Sequence, residues 1–392
     1  MPVLGMNITT NLEANERSHA WRLGIMDQYP DAAPLAHLIY RVGKERASDP
    51  YFRWYERTFN DREIEVVGTG MGEVSAGATD TLTVVAGQAY NLRIGSLVWN
   101  PATEELVRVY EDPTANNTAN VVRGIGSTSG SLAAWTSASM VQVVGNAQAE
   151  GANLGTAISN APTAYANYCQ IFRNVADISR TLAKTKLRTG DKRADAQKQA
   201  LLEHELDKEW SYFFGLADED TNTTPGPTRY TGGLYARIAT NIYNANDALT
   251  LANFNSFLAD VFADGTEERL LLCGSRLMLT LEDMARAYTY NWTDVGKQDT
   301  FGMNLKSWKT AWGTLFIKEH KLFSKNSIYR DWGFVIDPEK FVYRFVDDTT
   351  WLPNRQDNGA DRITGEYLAE VGLEIHQEWT HGVIKNASAF AG

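Results

Sequence analysis

The chain has 392 residues, of which 43% are hydrophobic and 22% charged, a composition typical of a folded protein with two or three domains. Its formal net charge is −11, and because an acidic surface repels phosphates, this argues against a protein that grips nucleic acid over its whole surface. Two distant cysteines, Cys169 and Cys273, exclude zinc ribbons and disulfide frameworks and fit maturation in a reducing cytoplasm.

The N-terminus lacks a charged region followed by an apolar run, so it does not predict a signal peptide. The longest uncharged stretches, 124–149 and 151–172, are rich in Ser, Thr, Asn, Gly and Ala rather than Leu and Ile. Neither stretch predicts a membrane span. We therefore expect synthesis in the cytoplasm and no membrane partner.

Residues 1–50 are interrupted by Pro30 and Pro34, which leaves room for a short amphipathic helix and predicts an arm that lies on another surface. The segment 51–67 alternates aromatic or β-branched residues with charges, which predicts a strand. Val-rich runs separated by turn-forming residues then predict an all-β region at 62–147. It could fold alone, but its thin apolar stripes are typical of a β tongue that needs a partner surface.

The clearest helical pattern covers 195–215, where Leu202, Leu206, Trp210 and Phe213 predict one apolar stripe, with the charged residues between them facing solvent. After an exposed loop at 218–233, apolar strands alternate with two further helices, near 251–262 and 275–288. A long β segment at 363–386 closes the chain. The pattern as a whole predicts an α+β fold with a separate β region towards the N-terminus.

Three segments are similar to cofactor or metal motifs, and each lacks a necessary part. The glycines of 68–72 precede a strand rather than the helix N-terminus that receives a pyrophosphate. In the segment 204–208, Lys208 stands where a zincin needs its second histidine, and an ammonium cannot bind zinc. Residues 218–229 begin with calcium-loop spacing but lack the glycine and the final glutamate. We expect no cofactor, no metal and no catalytic residue, and hence no enzyme.

A basic segment precedes the predicted helix. Its six cations lie within fifteen residues: Lys184, Lys186, Arg188, Lys192, Arg193 and Lys198. This density allows two interpretations, an electrostatic contact with an acidic neighbouring subunit or nucleic acid, or a solvated turn.

The order of these segments resembles the major capsid protein of tailed bacteriophages, the Hong Kong 97-type fold. The segment 50–56 (PYFRWYE) looks like the strand that enters the family's extended loop, and 96–111, 120–128 and 140–151 look like the β insert that some members have on that loop. The segment 167–174 (NYCQIFRN) looks like the strand after the loop, and 365–386 looks like the closing strands. Together they span nearly the whole chain.

The resemblance implies a domain order and a function. The expected parts are an N-terminal arm at 1–50, an extended loop with its β insert at 51–160, a first peripheral part at 161–234 with a spine helix at 195–215, an axial domain at 235–350, and return strands of the peripheral domain at 351–392. The implied function is self-assembly, as hexamers and pentamers, into an icosahedral head shell of the virion that encloses phage DNA. The chain would be made in the host bacterial cytoplasm.

The resemblance also implies partners, and this sequence differs from other members of the family in two ways. Packaged double-stranded DNA would be contacted non-specifically, alongside portal and decoration proteins. Only about fifty residues precede the loop, so we expect any scaffolding protein to be a separate chain. Some members join subunits through a lysine on the extended loop. No lysine lies between Lys44 and Lys184 here, so we expect a shell held noncovalently.

Alternating charges along 53–65 suit ion pairs that set the register between subunits. Together with the basic segment they give six predicted interface residues: Arg53, Arg57, Arg62, Glu63, Lys192 and Arg193. Two alternatives remain. One is an encapsulin-like nanocompartment shell around a cargo enzyme, which shares the fold. The other is a β-rich carbohydrate-binding module, for which Trp99, Glu104 and Glu105 are the candidate group.

Overall fold

The structure, a computed structural model, describes residues 33–58, 62–68, 70–126, 131–152, 155–185, 191–287, 293–294 and 306–391. The chain divides into two compact units, a larger one formed by Met1–Trp54 and Tyr165–Gly392 and a smaller one formed by Tyr55–Ala164. Most of the predicted arm, at 1–32, lies outside the described residues. So do Lys186 and Arg188 of the basic segment.

The described part of the chain contains seven α-helices. They are α1 (Pro34–Val42), α2 (Arg180–Lys184), α3 (Lys192–Phe214), α4 (Leu234–Arg237), α5 (Leu251–Val261), α6 (Ser275–Ala287) and α7 (Lys321–Lys325). The helix predicted at 195–215 is α3, and it begins three residues earlier than predicted. The reason is a cap that the apolar pattern does not reveal, since Asp191 accepts a hydrogen bond from the Arg193 backbone N–H at 2.9 Å.

The strands are numerous and mostly short. In chain order they are β1 (Lys44–Arg46), β2 (Tyr51–Glu56), β3 (Glu63–Glu65), β4 (Val74–Ser75), β5 (Thr79–Thr83), β6 (Ser96–Asn100), β7 (Glu105–Val109), β8 (Thr118–Val122), β9 (Ser131–Leu132), β10 (Met140–Asn146), β11 (Thr163–Tyr168), β12 (Gln170–Ser179), β13 (Asp218–Asp220), β14 (Thr228–Tyr230), β15 (Ile242–Asn244), β16 (Ala248–Leu249), β17 (Glu268–Cys273), β18 (Thr293–Asp294), β19 (Lys306–Lys309), β20 (Thr314–Glu319), β21 (Gly333–Ile336), β22 (Phe341–Leu352), β23 (Arg362–Ile375), β24 (Gly382–Lys385) and β25 (Ala389–Phe390).

A seven-stranded mixed sheet organises one part of the larger unit, in the order β15-β24-β21-β17-β20-β19-β18. Its centre is buried on both faces, which explains why β17 is an almost continuous apolar run. Leu271 points to a core shared with α5 and α6, whereas Leu270 and Leu272 point to a second core shared with α1, α3 and α7.

A four-stranded sheet in the order β1-β22-β23-β12 forms the other part of the larger unit. The long strands β12 and β23 pair antiparallel from Gln170↔Val371 to Ser179↔Arg362. Helix α3 covers one face of this sheet. Among the described residues this leaves the other face exposed along β12, and successive residues of that strand alternate between the two faces.

The smaller unit is a six-stranded antiparallel sheet in the order β3-β10-β6-β7-β8-β5. Fourteen described apolar residues are buried in its own core, from Ile64 to Val141, and Trp135 is fully enclosed there. The sequence allowed either a region that folds alone or a β tongue that needs a partner surface, and the structure shows a region with its own core. Alternate Val side chains of the strands share one face, and connecting segments supply Met71 and Trp135 to cover it.

Two local predictions are wrong. The segment 51–67 forms two strands, β2 and β3, rather than one. The predicted loop 218–233 contains a hairpin in which Asp218 pairs with Tyr230. The strands that lead into and out of the smaller unit, β2 and β11, pair with each other, and Cys169 N donates to Pro50 O at 2.7 Å.

Candidate assembly interface

The predicted apolar stripe of α3 is confirmed near the end of the helix, where Phe213 is buried and Trp210 packs against the core, and it is wrong further back. There Leu202 is only half-buried, and the buried positions recur every four residues at Ala200, His204, Lys208 and Tyr212. The prediction fails because buried polar groups are tolerated where a partner satisfies them, and such partners come from strands distant in the sequence.

The partners of two α3 side chains lie on the four-stranded sheet. The Nδ1 of His204 lies 2.9 Å from Oδ1 of Asn174, so Nδ1 carries a proton and donates it. Burial, with a smaller contribution from the charge of Lys208, lowers the pKa of His204 to about 4. Lys208 Nζ donates to Thr349 Oγ1 at 3.2 Å, and burial lowers the pKa of this lysine. Helix α3 is thus fixed against β12 and β22 by specific hydrogen bonds.

Glu209 of α3 joins three distant segments. Its fully buried carboxylate accepts hydrogen bonds from the backbone N–H groups of Leu35 at 2.9 Å and Ala36 at 2.6 Å. It also lies 2.8 Å from Nε2 of His320, whose Nδ1 accepts from the Phe323 backbone N–H at 3.4 Å. The proton of His320 is therefore on Nε2 and is donated to Glu209.

The bonds to Leu35 and Ala36 satisfy the first turn of α1. This helix starts with Pro34 and has Ala33 at its N-cap position, so it has no capping side chain of its own. A carboxylate is also favourable at the positive end of the helix dipole. Glu209 therefore fixes the beginning of α1, where the predicted arm joins the larger unit, against α3.

The uncovered face of the four-stranded sheet carries exposed apolar side chains. Ile171 and Val175 on β12 are 58% and 53% exposed, and the half-buried Leu368 of β23 lies diagonally between them. Charged residues are interleaved with them on the same face, since Arg173 lies between Ile171 and Val175 opposite Leu368, and its Nε lies 3.1 Å from a carboxylate oxygen of Glu366. Exposed aliphatic side chains set between ion-paired residues offer a surface on which another protein can pack. We call this set of residues the outer sheet face.

The core of the smaller unit contains a buried ion pair. Arg123 binds Glu105 through Nη2 to Oε2 at 2.6 Å and Nε to Oε1 at 2.9 Å, and neither side chain reaches solvent appreciably. Glu105 also accepts from Trp135 Nε1 at 2.7 Å and from the Gly124 backbone N–H at 3.1 Å. Every partner of this carboxylate is inside the unit, so the pair holds β7 to the end of β8 and to the segment around residue 135.

The ion pair of Glu105 bears on the carbohydrate-binding alternative. Glu104 is exposed in a turn, and its neighbour Glu105 is committed to Arg123 in the core. Paired acid and base carboxylates need a shared cleft. The group formed with Trp99 does not provide one.

Four of the six predicted interface residues lie in or next to β2 and β3. Arg53 is exposed but donates to the Tyr51 hydroxyl at 2.8 Å. Arg57 and Arg62 are exposed, and their side chains form no ion pair within the described residues. Glu63 is exposed at the start of β3.

The other two predicted residues lie in the first turn of α3. Lys192 Nζ donates to Asp195 at 2.6 Å, whereas the Arg193 side chain is exposed. The six residues are thus divided between the two units, and Arg53 and Lys192 are among those that have a partner inside the chain.

Two of the incomplete cofactor and metal motifs shape turns and close contacts of the fold. Gly70 has φ +57°, and a Cβ there would lie 2.0 Å from the Trp135 carbonyl oxygen, so this glycine permits a close approach of two segments. Asp220 accepts from the Asn222 backbone N–H at 2.9 Å, which shapes a hairpin turn. Among the described residues, no group of three or more His, Cys, Asp or Glu is placed to hold a metal ion. Nor does that part of the chain contain a helix of the length and apolarity that a membrane crossing requires.

The sequence patterns do not single out Glu209, His320 or the apolar pair Ile171 and Val175. One available signal was the uncapped start of α1, because Pro34 follows Ala33 and an uncapped helix needs an acceptor from elsewhere. The other was the alternation of Ile171 and Val175 with Phe172, which places apolar groups on both faces of one strand.

Comparison with known proteins identifies the family. The sequence model for the SU10 major capsid protein matches residues 9–388, almost the whole chain. The chain belongs to the SU10 major capsid protein family. A major capsid protein of Pseudomonas phage PaMx41 is 26% identical over 355 residues, which are 87% of this chain and 81% of the relative.

Solved structures agree with the SU10 family on the fold. The capsid asymmetric unit of cyanophage A-1(L) matches with a TM-score of 0.52 and 11% identity, over 97% of this chain and 100% of that one. The capsid of an empty GTA particle matches with a TM-score of 0.50 and 9% identity, over 95% and 96% of the two chains. The predicted Hong Kong 97-type α+β fold is confirmed. As a member of the SU10 family, the chain is a phage head shell protein and part of the virion, as the resemblance implies.

Proposed function

We propose that copies of this chain assemble as hexamers and pentamers into an icosahedral shell around phage DNA, and that the outer sheet face is a contact between neighbouring copies. The observation that carries the second part is the exposure of Ile171 and Val175 on one face of a ten-residue strand. Burying an exposed aliphatic side chain of this size contributes about 1.5–3 kcal/mol, and a shell repeats each contact many times.

The domain order follows the same proposal. We assign the arm to 1–50, the extended loop with its β insert to 51–160, the peripheral domain to 161–234 and 351–392, and the axial domain to 235–350. The self-contained smaller unit, Tyr55–Ala164, supports the second assignment, and the anchoring of α1 by Glu209 supports an arm that begins before it.

The partners in this proposal are other copies of the chain, packaged double-stranded DNA held without sequence preference, and separate scaffolding, portal and decoration proteins. A net charge of −11 favours weak contact with DNA, which suits a container that must be filled. The absence of lysine between Lys44 and Lys184 supports subunits held noncovalently. Synthesis takes place in the host bacterial cytoplasm.

The six predicted interface residues differ in their availability. Arg57, Arg62 and Arg193 are exposed and form no side-chain ion pair within the described residues, so they are free to pair with a neighbour. Arg53 and Lys192 would first have to leave Tyr51 and Asp195. We therefore assign the intersubunit ion pairs to the first three, where they set register more than affinity.

The test replaces Ile171 and Val175, the two exposed aliphatic residues of the outer sheet face. The double variant Ile171→Asp/Val175→Asp places two carboxylates where a neighbour would seat, and we expect it to remain folded but to form no uniform particles in negative-stain microscopy. The matched control is Ile328→Asp, because Ile328 is 63% exposed and lies after α7, outside this sheet.

Three results are informative. Particles from wild type and the control but not from the double variant support the proposed contact. Particles from all three chains contradict it while leaving shell assembly intact. Failure of the control as well would show that the loss is not specific to the outer sheet face.

A further inference from the structure

The smaller unit contains a polar pocket whose lining residues belong neither to the buried core nor to the outer sheet face. It is an open cavity of about 240 Å³. Its lining residues come from the start of β3, the segment before β6, strand β10 and the following coil: Arg62, Asn91, Arg93, Ser96, Val143, Gly145, Asn146 and Ile158. We call it the arginine pocket.

The backbone on both sides of the arginine pocket is fixed. The carbonyl of Arg62 accepts from the Val143 N–H at 2.7 Å, which attaches it to β10. The N–H of Arg93 donates to Ser96 Oγ at 3.1 Å, and its carbonyl accepts from the Ser96 N–H at 2.9 Å. A register shift between Val143 and Gly145 on β10 interrupts regular pairing at this wall. Two guanidinium groups therefore line one cavity from anchored positions.

Among the residues that the structure describes, no acidic side chain lines this pocket to balance its charge. Within the described residues, the side chains of Arg62 and Arg93 form neither an ion pair nor a hydrogen bond, in contrast to Arg123 of the same unit. No Asp or Glu is among the lining residues, and the side-chain amides of Asn91 and Asn146 add further donors. A guanidinium stays charged at any physiological pH, so the pocket favours an anion.

We propose that the arginine pocket binds a carboxylate side chain from a second copy of this chain. The inference rests on the self-assembly proposed above. A copy presents 48 acidic residues against 37 basic ones, so its surface is the commonest source of such a group. The planar fork of a guanidinium matches a carboxylate with two parallel hydrogen bonds. The cavity is also smaller than the ~300–1,000 Å³ usual for small-molecule sites, which suits one acidic side chain better than a nucleotide.

The variant to test is Arg62→Ala/Arg93→Ala in the full-length chain. We expect the subunit concentration needed for particle formation to rise about tenfold or more at low salt, and the salt dependence of assembly to flatten, because the lost contact is electrostatic. The matched control is Arg108→Ala, which removes a half-buried arginine of the same unit that neither lines the pocket nor belongs to the proposed intersubunit ion pairs. Equal melting temperatures of the three chains establish that folding is unchanged.

A second arm needs no substitution. Sodium acetate serves as the carboxylate probe, with sodium chloride of equal ionic strength as its control. We expect acetate to inhibit wild-type assembly more than chloride does, and an equal inhibition by the two salts would contradict a carboxylate site. This arm applies even if the double variant folds poorly.

Four results would overturn the proposal. If the double variant assembles at the wild-type concentration, the pocket takes no carboxylate from a neighbour, while the shell function stands. If it assembles normally but its particles retain less DNA, the occupant is a nucleic-acid phosphate. An equal loss with Arg108→Ala would show a general charge effect. Failure of the wild type to form particles at all would instead overturn the self-assembly on which the proposal rests.

Discussion

Glu105 in the smaller unit and Glu209 in the larger unit are both buried carboxylates, and they are stabilised in different ways. Glu105 is paired with a cation, Arg123, and all its partners lie within residues 105–135. Glu209 has no cation beside it but accepts from backbone N–H groups 173 and 174 positions away and from His320. The smaller unit is thus closed by one continuous segment, whereas the larger one is closed by contacts between parts distant in the chain.

This comparison predicts that each unit can be weakened separately. Replacing Glu105 by Ala breaks the buried pair and leaves Arg123 with only the Asp80 carboxylate at 3.7 Å, and breaking such a pair typically costs about 3–5 kcal/mol. We expect the loss in the smaller unit alone, seen as faster hydrogen exchange across β5–β8 with little change in the larger unit. The neighbouring Glu104 offers the control, since Glu104→Gln changes an exposed side chain and should alter stability by less than about 0.5 kcal/mol. Equal effects of the two substitutions would contradict the structural role of Glu105.

The corresponding change in the larger unit is Glu209→Ala. It removes the acceptor of two backbone N–H groups, and unsatisfied buried groups cost about 1–3 kcal/mol each, so we expect a loss of about 3 kcal/mol. Exchange should rise first in α1, because its first turn loses its cap. Glu203→Ala on the exposed side of α3 is the control. If α1 kept its protection in Glu209→Ala, Glu209 would not be what fixes it.

A smaller difference between the units concerns pH. Burial lowers the pKa of His204 to about 4 and that of His381 to about 3, from an ordinary value of 6.5, so both are neutral in the folded state. As pH falls below 6.5 the unfolded chain takes up protons that the folded larger unit does not, and its stability decreases. The decrease continues until the pH reaches the folded values, and by pH 5 it amounts to about 2 kcal/mol for each histidine.

The sequence from 55 to 164 contains no histidine, so the smaller unit should be nearly insensitive over the same range. Urea unfolding at pH 7 and pH 5, resolved by segment through hydrogen exchange, measures both units at once. His204→Gln should reduce the pH dependence of the larger unit by about half, because it removes one of the two histidines whose pKa burial lowers. If the free energy of unfolding depended equally on pH in the two units, the buried histidines would not be its cause.

The sequence patterns predict where helices and strands lie better than they predict which side of each is buried. The bounds of α3 differ from the prediction by three residues at one end and one at the other, and the capsid fold follows from the order of segments. The buried side of α3 is predicted correctly at Phe213 but wrongly at His204 and Lys208, whose burial depends on hydrogen bonds with Asn174 and Thr349. Those partners are set by the pairing of distant strands, which no local pattern contains.

The candidate interface shows the same limit. Charge alternation points to Arg57 and Arg62, which the structure leaves exposed. The outer sheet face is visible only when β12 is placed at the edge of its sheet with α3 on the opposite side, since Ile171 and Val175 look like core residues in the sequence. An edge strand and a central strand have similar local patterns, so their difference emerges only from topology.

The pairing of β2 with β11 makes the region between them an interchangeable cassette. The backbone bond from Cys169 to Pro50 keeps the two connection points side by side, whatever is folded between them. A foreign domain whose own termini lie close together can therefore take the place of 57–162 without stretching the remaining chain. Because this exchange also removes Arg57, Arg62 and the arginine pocket, the concentration at which such a chimera assembles would show how much the outer sheet face contributes without them.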